Sequence, residues 1–416
     1  MQTINVLVIF WKYDLIVARS IRSITLHSVV GIYIMIRLIL FLSTLALAIT
    51  SYAVPALNMP YGVSPISREI YNLHMAGFYI CCAIGVVVFG VLIYSLIKFR
   101  KSKGAKAAHF HEHIGLEILW TAIPFFILVA LAIPATIVLA HIHDTERSAL
   151  TIKVVGYQWK WKYEYLDQGI SFFSNLATPQ EQILNKAPKN EWFLLEVDKP
   201  LVVPVNTKIK LLITADDVIH AWWVPDLGIK QDAIPGFINE NWIYIEKEGF
   251  YRGQCGELCG VYHAFMPIVV QAVSQADFAK WVVANTPTPE SMALAQKEIL
   301  KPLTEDELLT LGKTQYEKSC IMCHQAEGEG LPPTFPPLKD SRVVTGPLAV
   351  NIGYVLTGVP GTAMQAFGDQ LDDRAMAAVV TYIRNAWGNE IPIKRHKYPT
   401  IVQPEDVAKV RQESKK

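Results

Sequence analysis

The sequence predicts a multidomain chain with a two-helix transmembrane hairpin, an all-β domain and an all-α domain. Three observations predict this fold class. Two long stretches carry no charged residue, short strand-like runs follow them, and the C-terminal part has helical patterns around a Cys-x-x-Cys-His motif. At 416 residues the chain is long enough for two or three domains.

The composition argues against two classes of protein. Lys and Arg number 38 and Asp and Glu 37, so the net charge of +1 gives no electrostatic footprint for a nucleic-acid partner. Apolar residues make up 51% of the chain, and charged residues only 18%, which is below the share typical of soluble domains. The chain is therefore predicted to be partly embedded in a membrane and partly in water, which argues against a fully cytosolic soluble protein.

Residues 75–97 and 118–140 contain no charged residue, and each can cross ~30 Å of hydrocarbon as a helix. Two buried core helices are the alternative, but Pro124 and Pro134 would break a soluble helix. The connection between the stretches is rich in Lys and Arg, and the positive-inside rule places it in the cytoplasm. We predict a hairpin over residues 54–141, with spans at about 73–97 and 117–140.

A further apolar stretch, residues 38–60, follows Arg37 and contains Ser51 and Ala53. This pattern is typical of a secretory signal that starts at Met35 and is cleaved near Ala53. Residues 1–53 are therefore predicted to be an N-terminal extension with a signal peptide; an uncleaved third span is the alternative.

Residues 142–285 contain short strand-like runs separated by Gly, Pro and Asp, which predicts a Greek-key β-sandwich or barrel. Aromatic residues alternate with polar ones over residues 157–165, which predicts one strand with an aromatic face. Further strands are predicted at residues 192–197, 201–205, 209–214, 242–245 and 268–273.

Residues 286–302 are predicted to be a linker, which would span roughly 20–25 Å if flexible. An all-α domain is predicted at residues 303–390, with helices at 304–320 and 372–387. Residues 391–416 are predicted to be a basic, solvated tail.

Thiol, imidazole and thioether side chains cluster in the second half of the β domain. Cys255, Cys259, His263 and Met266 lie close together in sequence, and His220 precedes them. These ligands suit copper, but a mononuclear blue site needs only one cysteine. Two thiolates can instead bridge two copper ions, with one His for each and Met266 and a backbone carbonyl in weak axial positions. A disulfide and a structural zinc site are the alternatives, although Met is a poor zinc ligand.

Residues from about 65 to 280 resemble subunit II of cytochrome c oxidase, the haem–copper terminal oxidase of respiratory chains. The resembling runs are LEILWTAIP at 116–124, QWKWKYEY at 158–165, DVIHAWWVP at 217–225, KQDAIPG at 230–236 and CGELCGVYHAFM at 255–266.

The resemblance implies a cupredoxin-like β domain with a binuclear copper centre, CuA. It implies that Glu257 gives its carbonyl to copper and its carboxylate to a magnesium ion at the boundary with subunit I. The side chains that it implies as copper ligands are His220, Cys255, Cys259, His263 and Met266.

Two further residues match family positions. Trp159 matches the aromatic that receives electrons from cytochrome c, although the next residue, usually Tyr, is Lys160 here. Ordinary packing of a sheet face is the alternative for Trp159. Glu117 matches the Glu at the mouth of a proton channel, whereas a lone carboxylate there could also snorkel to the headgroups.

The motif at residues 320–324 predicts covalent haem c, attached through Cys320 and Cys323 with His324 under the iron. We predict Met364 as the sixth ligand, because it lies in the loop-like run GTAMQAFG at 361–368, whereas Met376 falls on the apolar face of a predicted helix. Residues 303–388 resemble a class I cytochrome c, and the fusion resembles the arrangement in caa3-type oxidases.

The resemblance implies a subunit of the proton-translocating cytochrome c oxidase. This subunit would accept electrons from cytochrome c through its own haem c and pass them through CuA to the oxygen-reducing site of subunit I. The implied partners are subunits I and III, the membrane, and a cytochrome c or bc1-type complex as donor. The implied location is the bacterial inner membrane, multi-pass, with both redox domains on the periplasmic side. A membrane-tethered carrier outside any oxidase is the alternative. A nitrous-oxide-reductase-like enzyme is rejected, because too few of the 11 histidines remain for a His-rich copper cluster.

Overall fold

The computed structural model describes residues 36–37, 58–106 and 111–414. The chain divides into a unit Met1–Met59 and a unit Pro60–Lys416, and the second contains all elements named below. The predicted signal peptide lies outside the described residues, apart from residues 36–37.

Two long helices form the hairpin, α1 (Pro65–Lys98) and α2 (Ile114–His143). They include the two predicted spans, and both are long and apolar enough to cross a membrane. A capping box at Ser64 and Ser67 starts α1 with Pro65 in its first turn, and Pro124 and Pro134 lie inside α2.

The β domain consists of two five-stranded sheets that enclose an apolar core. One sheet has the order β3-β2-β1-β5-β8, with β1 and β5 parallel, and the other has the order β4-β10-β9-β6-β7, with β4 and β10 parallel. The strands are β1 (Leu150–Tyr157), β2 (Lys160–Tyr165), β3 (Ile170–Ser174), β4 (Leu201–Pro204), β5 (Lys208–Ala215), β6 (His220–Val224), β7 (Ile229–Ala233), β8 (Asn239–Tyr244), β9 (Gly249–Cys255) and β10 (Pro267–Val273).

Two strand predictions are corrected. Residues 157–165 are not one strand, because the chain turns at Gln158 and Trp159, and Tyr157 of β1 pairs with Lys160 of β2. The aromatic face is confirmed only for β2, where Trp161, Tyr163 and Tyr165 are buried. Residues 192–197 form turns, with a single bridge between Leu176 and Val197, because no neighbouring strand extends the pairing there.

The β domain is attached to one end of the hairpin. Arg68 of α1 makes two hydrogen bonds of 2.8 Å with the carboxylate of Glu246. At the end of α2, the Trp242 indole donates to the carbonyl of His141 at 2.9 Å. These contacts hold the β domain at the end of the hairpin that contains the start of α1 and the end of α2.

The C-terminal part is helical, as predicted, and has its own apolar core. The short helix α3 (Gln180–Ile183) lies in the β domain. The following helices are α4 (Gln275–Asn285), α5 (Pro289–Ile299), α6 (Glu305–Ser319), α7 (Ile321–His324), α8 (Leu348–Thr357), α9 (Asp373–Asn385), α10 (Glu390–Arg395) and α11 (Pro404–Glu413).

Two expectations about flexible segments are wrong. The predicted linker is not a coil, because Thr288 and Ser291 form a capping box that starts α5, a helix of 11 residues. The predicted solvated tail forms α10 and α11 and packs on the helical domain, where Val402 and Val407 are fully buried. Val402 and Val407 therefore belong to the core of that domain.

Candidate metal and haem sites

The sheet brings the candidate copper ligands together from two strands and one loop. His220 is the first residue of β6 and Cys255 the last of β9, and these strands are neighbours. The loop from β9 to β10 carries Cys259, His263 and Met266.

The candidate ligand atoms of this cluster lie close to the two cysteine sulfurs. The two sulfurs of Cys255 and Cys259 are 3.8 Å apart. His220 Nδ1 lies 3.9 Å from Cys255 Sγ, and His263 Nδ1 lies 3.4 Å from Cys259 Sγ. Met266 Sδ is 3.5 Å from Cys259 Sγ, so Met266 and His263 both contact the sulfur of Cys259. The cluster therefore offers one imidazole to each thiol.

The sulfur–sulfur distance excludes the disulfide alternative. A disulfide bond is about 2.05 Å long, so cysteines with sulfurs 3.8 Å apart are free thiols. The carbonyl oxygen of Glu257 lies 3.2 Å from Cys255 Sγ and supplies a hard donor beside the soft ones. Two thiols, two imidazoles, a thioether and a carbonyl fit a pair of copper ions.

Asp217 orients His220. Its Oδ1 lies 2.9 Å from His220 Nε2, so Nε2–H donates to the carboxylate and Nδ1 is left as an acceptor facing Cys255. His220 packs directly on Gly156, where an added Cβ would lie 2.8 Å from the imidazole. Asp217 and Gly156 together therefore fix the orientation of the His220 imidazole.

The protonation of the cluster is set by its own contacts. The hydrogen bond between the two thiols lowers the pKa of Cys255 and raises the pKa of Cys259. Burial lowers the pKa of His220, but the hydrogen bonds and charges of Asp217 and Cys255 together outweigh burial, and the net direction is upward. The contact between the two thiols therefore favours ionisation of Cys255 over ionisation of Cys259.

Trp159 contacts the loop between β9 and β10 that carries Cys259, His263 and Met266, which we call the copper loop. Its indole Nε1 donates to the carbonyl of Cys259 at 3.1 Å, and the side chain of Gln158 donates to the same oxygen at 2.9 Å. The indole also packs edge-on against Tyr262, with ring centroids 5.0 Å apart. Trp159 therefore lies between the candidate copper ligands and the domain surface.

The haem-attachment motif lies on α7. His324 is buried and its Nδ1 donates to the carbonyl of Pro336 at 2.9 Å, which leaves Nε2 as the free ring nitrogen. Burial lowers the pKa of His324 and raises those of Cys320 and Cys323 to about 12 and about 11. A neutral imidazole and two adjacent thiols fit covalent haem with an axial histidine.

The two candidate methionines differ as expected. Met376 is fully buried in α9. Met364 lies in an irregular loop between α8 and α9, and packs against the same apolar core as Cys320 and Ile321. This placement favours Met364 as a haem ligand.

The copper loop and the haem motif are in direct contact. The hydroxyl of Tyr262 donates to the carbonyl of Met322, which lies between Cys320 and Cys323. Trp159 packs edge-on against Phe335 of the haem domain, with ring centroids 6.4 Å apart. The two candidate redox sites therefore meet at one interface.

Lys160, the departure from the family pattern, lies at that interface. Its ammonium donates to the amide oxygen of Gln370 in the haem domain and lies 5.0 Å from the ring centroid of Phe367. Burial lowers its pKa to about 8. Beside it, the Gln365 amide donates to the carbonyl of Gln158.

Two predicted residues stand apart. The carboxylate of Glu257 is exposed, with no ion pair among the described residues. Glu117 lies in the first turn of α2 and accepts from the backbone of His113 at 3.3 Å. At 1.5 Å per residue it is about 36 Å along the helix from His141. Glu117 therefore does not belong to either redox site.

Three residues that contact the candidate sites were missed from the sequence, namely Asp217, Trp161 and Tyr262. Trp161 packs edge-on against His220 at 5.9 Å and donates to the carbonyl of Met266 at 3.3 Å. A carboxylate three residues before a candidate ligand was the available signal for Asp217. Nothing in the sequence pairs Tyr262 with a domain that follows a linker.

Comparison with known proteins identifies each part of the chain. Residues 51–138 match the transmembrane domain of cytochrome c oxidase subunit II, and residues 150–273 match its periplasmic domain. Residues 307–383 match subunit III of cbb3-type cytochrome c oxidase.

Individual proteins and one solved structure are similar to parts of this chain. The probable cytochrome c oxidase subunit 2 of Rickettsia conorii is 42% identical over 54% of this chain and 70% of that protein. The subunit 2 of Cereibacter sphaeroides is 38% identical over 53% of this chain and 77% of that protein. The crystal structure of the periplasmic domain of subunit II from Bradyrhizobium japonicum is 43% identical, with a TM-score of 0.31, over 34% of this chain and 96% of that one.

These matches imply copper in the CuA site, haem in the C-terminal domain, and association with subunit I in an oxidase complex. The two apolar helices and the periplasmic-domain match indicate a membrane protein with a periplasmic domain. The chain belongs to the cytochrome c oxidase subunit II family and carries an additional C-terminal cytochrome c domain.

Proposed function

We propose that this chain receives electrons at its own haem c and delivers them to the oxygen-reducing subunit I, in a caa3-like arrangement. When bound, haem c and the copper pair supply the one-electron chemistry, in the order donor, haem c, copper, subunit I. The observation that carries the proposal is the contact between Tyr262 of the copper loop and Met322 of the haem motif.

We propose His220, Cys255, Cys259, His263 and Met266 as the side chains that hold copper, with the carbonyl of Glu257. Asp217 positions His220 by accepting its Nε2–H, which keeps Nδ1 free. Because His220 and both cysteines are buried, the protein excludes water from the site and fixes the donors before copper binds.

For haem, we propose thioether bonds to Cys320 and Cys323, with His324 and Met364 as axial ligands. The Pro336 carbonyl holds Nδ1–H of His324, so that only Nε2 can face iron.

The covered position of Trp159 supports this electron order. In the family resemblance this aromatic receives electrons from an external cytochrome. Here Phe335 packs against it and Lys160 binds Gln370, so the haem domain occupies this surface. A donor, whether a soluble or membrane cytochrome c or a bc1-type complex, would then dock on the haem domain.

The remaining assignments rest on the family pattern. We propose that Glu257 holds magnesium at the boundary with subunit I, that Glu117 takes up protons, and that subunit III is also a partner. We place the chain in the bacterial inner membrane as a multi-pass protein, with domain boundaries near residues 141, 285 and 302, and the haem domain continues past residue 390 into α10 and α11.

Removal of the haem attachment tests the proposal. In the assembled oxidase, the double variant Cys320→Ser, Cys323→Ser should lose covalent haem c and lower turnover with a soluble cytochrome donor at least tenfold, with the copper spectrum intact. Cys81→Ser with Cys82→Ser in α1 is the matched control, because these free thiols lie on the membrane helix. Unchanged turnover in the haem-free variant would show that donors bypass the haem domain.

A further inference from the structure

The C-terminal segment after α9 is anchored to the haem domain by buried polar contacts. Val402 N donates to Thr381 Oγ1 at 3.0 Å, and the fully buried Arg384 donates to the Pro399 carbonyl at 2.8 and 3.0 Å. Gln403 and Leu303 exchange hydrogen bonds of 2.9 and 3.0 Å. These contacts position α11 against α8 and α9.

Arg411 on α11 reaches the chain that follows Met364. Its Nε donates to Asp373 Oδ1 at 2.7 Å, its Nη2 to the Leu371 carbonyl at 2.9 Å and its Nη1 to the Gly368 carbonyl. The side chains of Arg411 and Asp373 are 21% and 9% exposed. A planar guanidinium can serve three acceptors at once, which a lysine ammonium at this position could not match in geometry.

The same stretch is held on its other side by α8. Phe367 N donates to the Val355 carbonyl and Gly368 N to the Leu356 carbonyl, both at 3.0 Å. Closer to the start of the loop, Val359 N donates to the Met364 carbonyl at 2.8 Å. The chain after Met364 is therefore clamped between α8 and Arg411.

We propose that α11 is a strap and that Arg411 is a positioning residue, which holds residues 361–371 in the conformation that presents Met364 to the haem iron. The inference rests on the proposed role of Met364 as sixth ligand. It assigns a role to the basic tail, which lies outside the matched cytochrome region of residues 307–383. Without the guanidinium, the carbonyls of Gly368 and Leu371 lose their donors and the loop opens more often.

The test uses the full chain in the assembled oxidase and compares Arg411→Ala with wild type. Loss of charge-assisted hydrogen bonds should raise the amide exchange of Phe367 and Gly368 and tighten imidazole binding to ferric haem c, each about tenfold. The near-infrared charge-transfer band of methionine-ligated ferric haem should weaken in parallel. Lys409→Ala is the control, because Lys409 is an exposed cation on the same helix.

Arg411→Lys separates positioning from folding. It keeps the charge and loses the planar fork, so the exchange rate and the imidazole affinity should fall between those of wild type and Arg411→Ala. Wild-type values for both quantities in Arg411→Lys and Arg411→Ala would overturn the strap. Met364→Leu tests separately whether Met364 is the sixth ligand. If the charge-transfer band survives in that variant, Met364 is not the ligand, and the strap proposal fails as well. If Met364→Leu removes the band while Arg411→Ala leaves it unchanged, only the strap is wrong.

Discussion

Asp217→Asn should weaken copper binding, although the new side chain has almost the same shape. The carboxylate accepts three hydrogen bonds, from Gln158 N at 2.7 Å, Val218 N at 2.7 Å and His220 Nε2 at 2.9 Å. An asparagine has only one accepting oxygen. Its amide nitrogen must therefore face either the backbone N–H of Gln158, or both the backbone N–H of Val218 and the ring N–H of His220.

The structure sets the size of the effect. Loss of one hydrogen bond to a charged group in a buried site costs about 1.5–3 kcal/mol. At 1.4 kcal/mol per factor of ten this corresponds to roughly 10- to 100-fold in affinity, the range found for residues that orient metal-binding histidines. Solvent screening is small, because the side chain of His220 is fully buried.

The assay is a copper titration of the full chain against a competing chelator, followed by electron paramagnetic resonance. Asp216→Asn is the matched control, because Asp216 is exposed and its side chain takes part in no hydrogen bond among the described residues. Equal copper affinities for Asp217→Asn and Asp216→Asn would refute the positioning role of Asp217.

The remaining predictions address the other assigned residues. Cys255→Ser or Cys259→Ser should abolish the mixed-valence signal of the copper pair in electron paramagnetic resonance and leave the haem c spectrum intact; a surviving binuclear signal would refute the bridging thiolates. Met364→Leu should lower the haem reduction potential measured by redox titration, because thioether ligation raises it. Met376→Leu changes a buried core side chain instead and should leave the potential unchanged. Glu117→Ala should slow oxidase turnover without altering either metal spectrum, with Glu112→Ala as control; unchanged turnover across the pH range would favour the snorkelling alternative.

Features with a local cause could be predicted from the sequence. The two apolar helices follow from uninterrupted hydrophobic composition, and α6 follows from the capping box of Thr304 and Glu307, which the structure contains. The cysteine loop and the haem motif keep most of their chemistry within a few residues. For this reason their donor sets could be proposed from the sequence.

Features that depend on distant partners could not be predicted. The alternation of aromatic and polar residues continues through the turn at Gln158, and only the pairing of Tyr157 with Lys160 reveals two strands. The tail looked solvated because it is basic, but Arg411 neutralises Asp373 across 38 residues of sequence. The interface at Tyr262 joins residues 60 apart. In each case the decisive partner lies in another element.

In the proposed order of electron transfer, haem c is reduced before copper. The most direct measurement is stopped-flow reduction of the intact oxidase by a soluble cytochrome c, followed at the haem c and copper absorbances together. Because the haem domain is held on the copper domain through Trp159, Lys160 and Tyr262, we predict that haem c is reduced first. Copper should follow at a rate that does not change when the oxidase is diluted. Reduction of copper before haem c, or a copper rate that falls with dilution, would contradict the account.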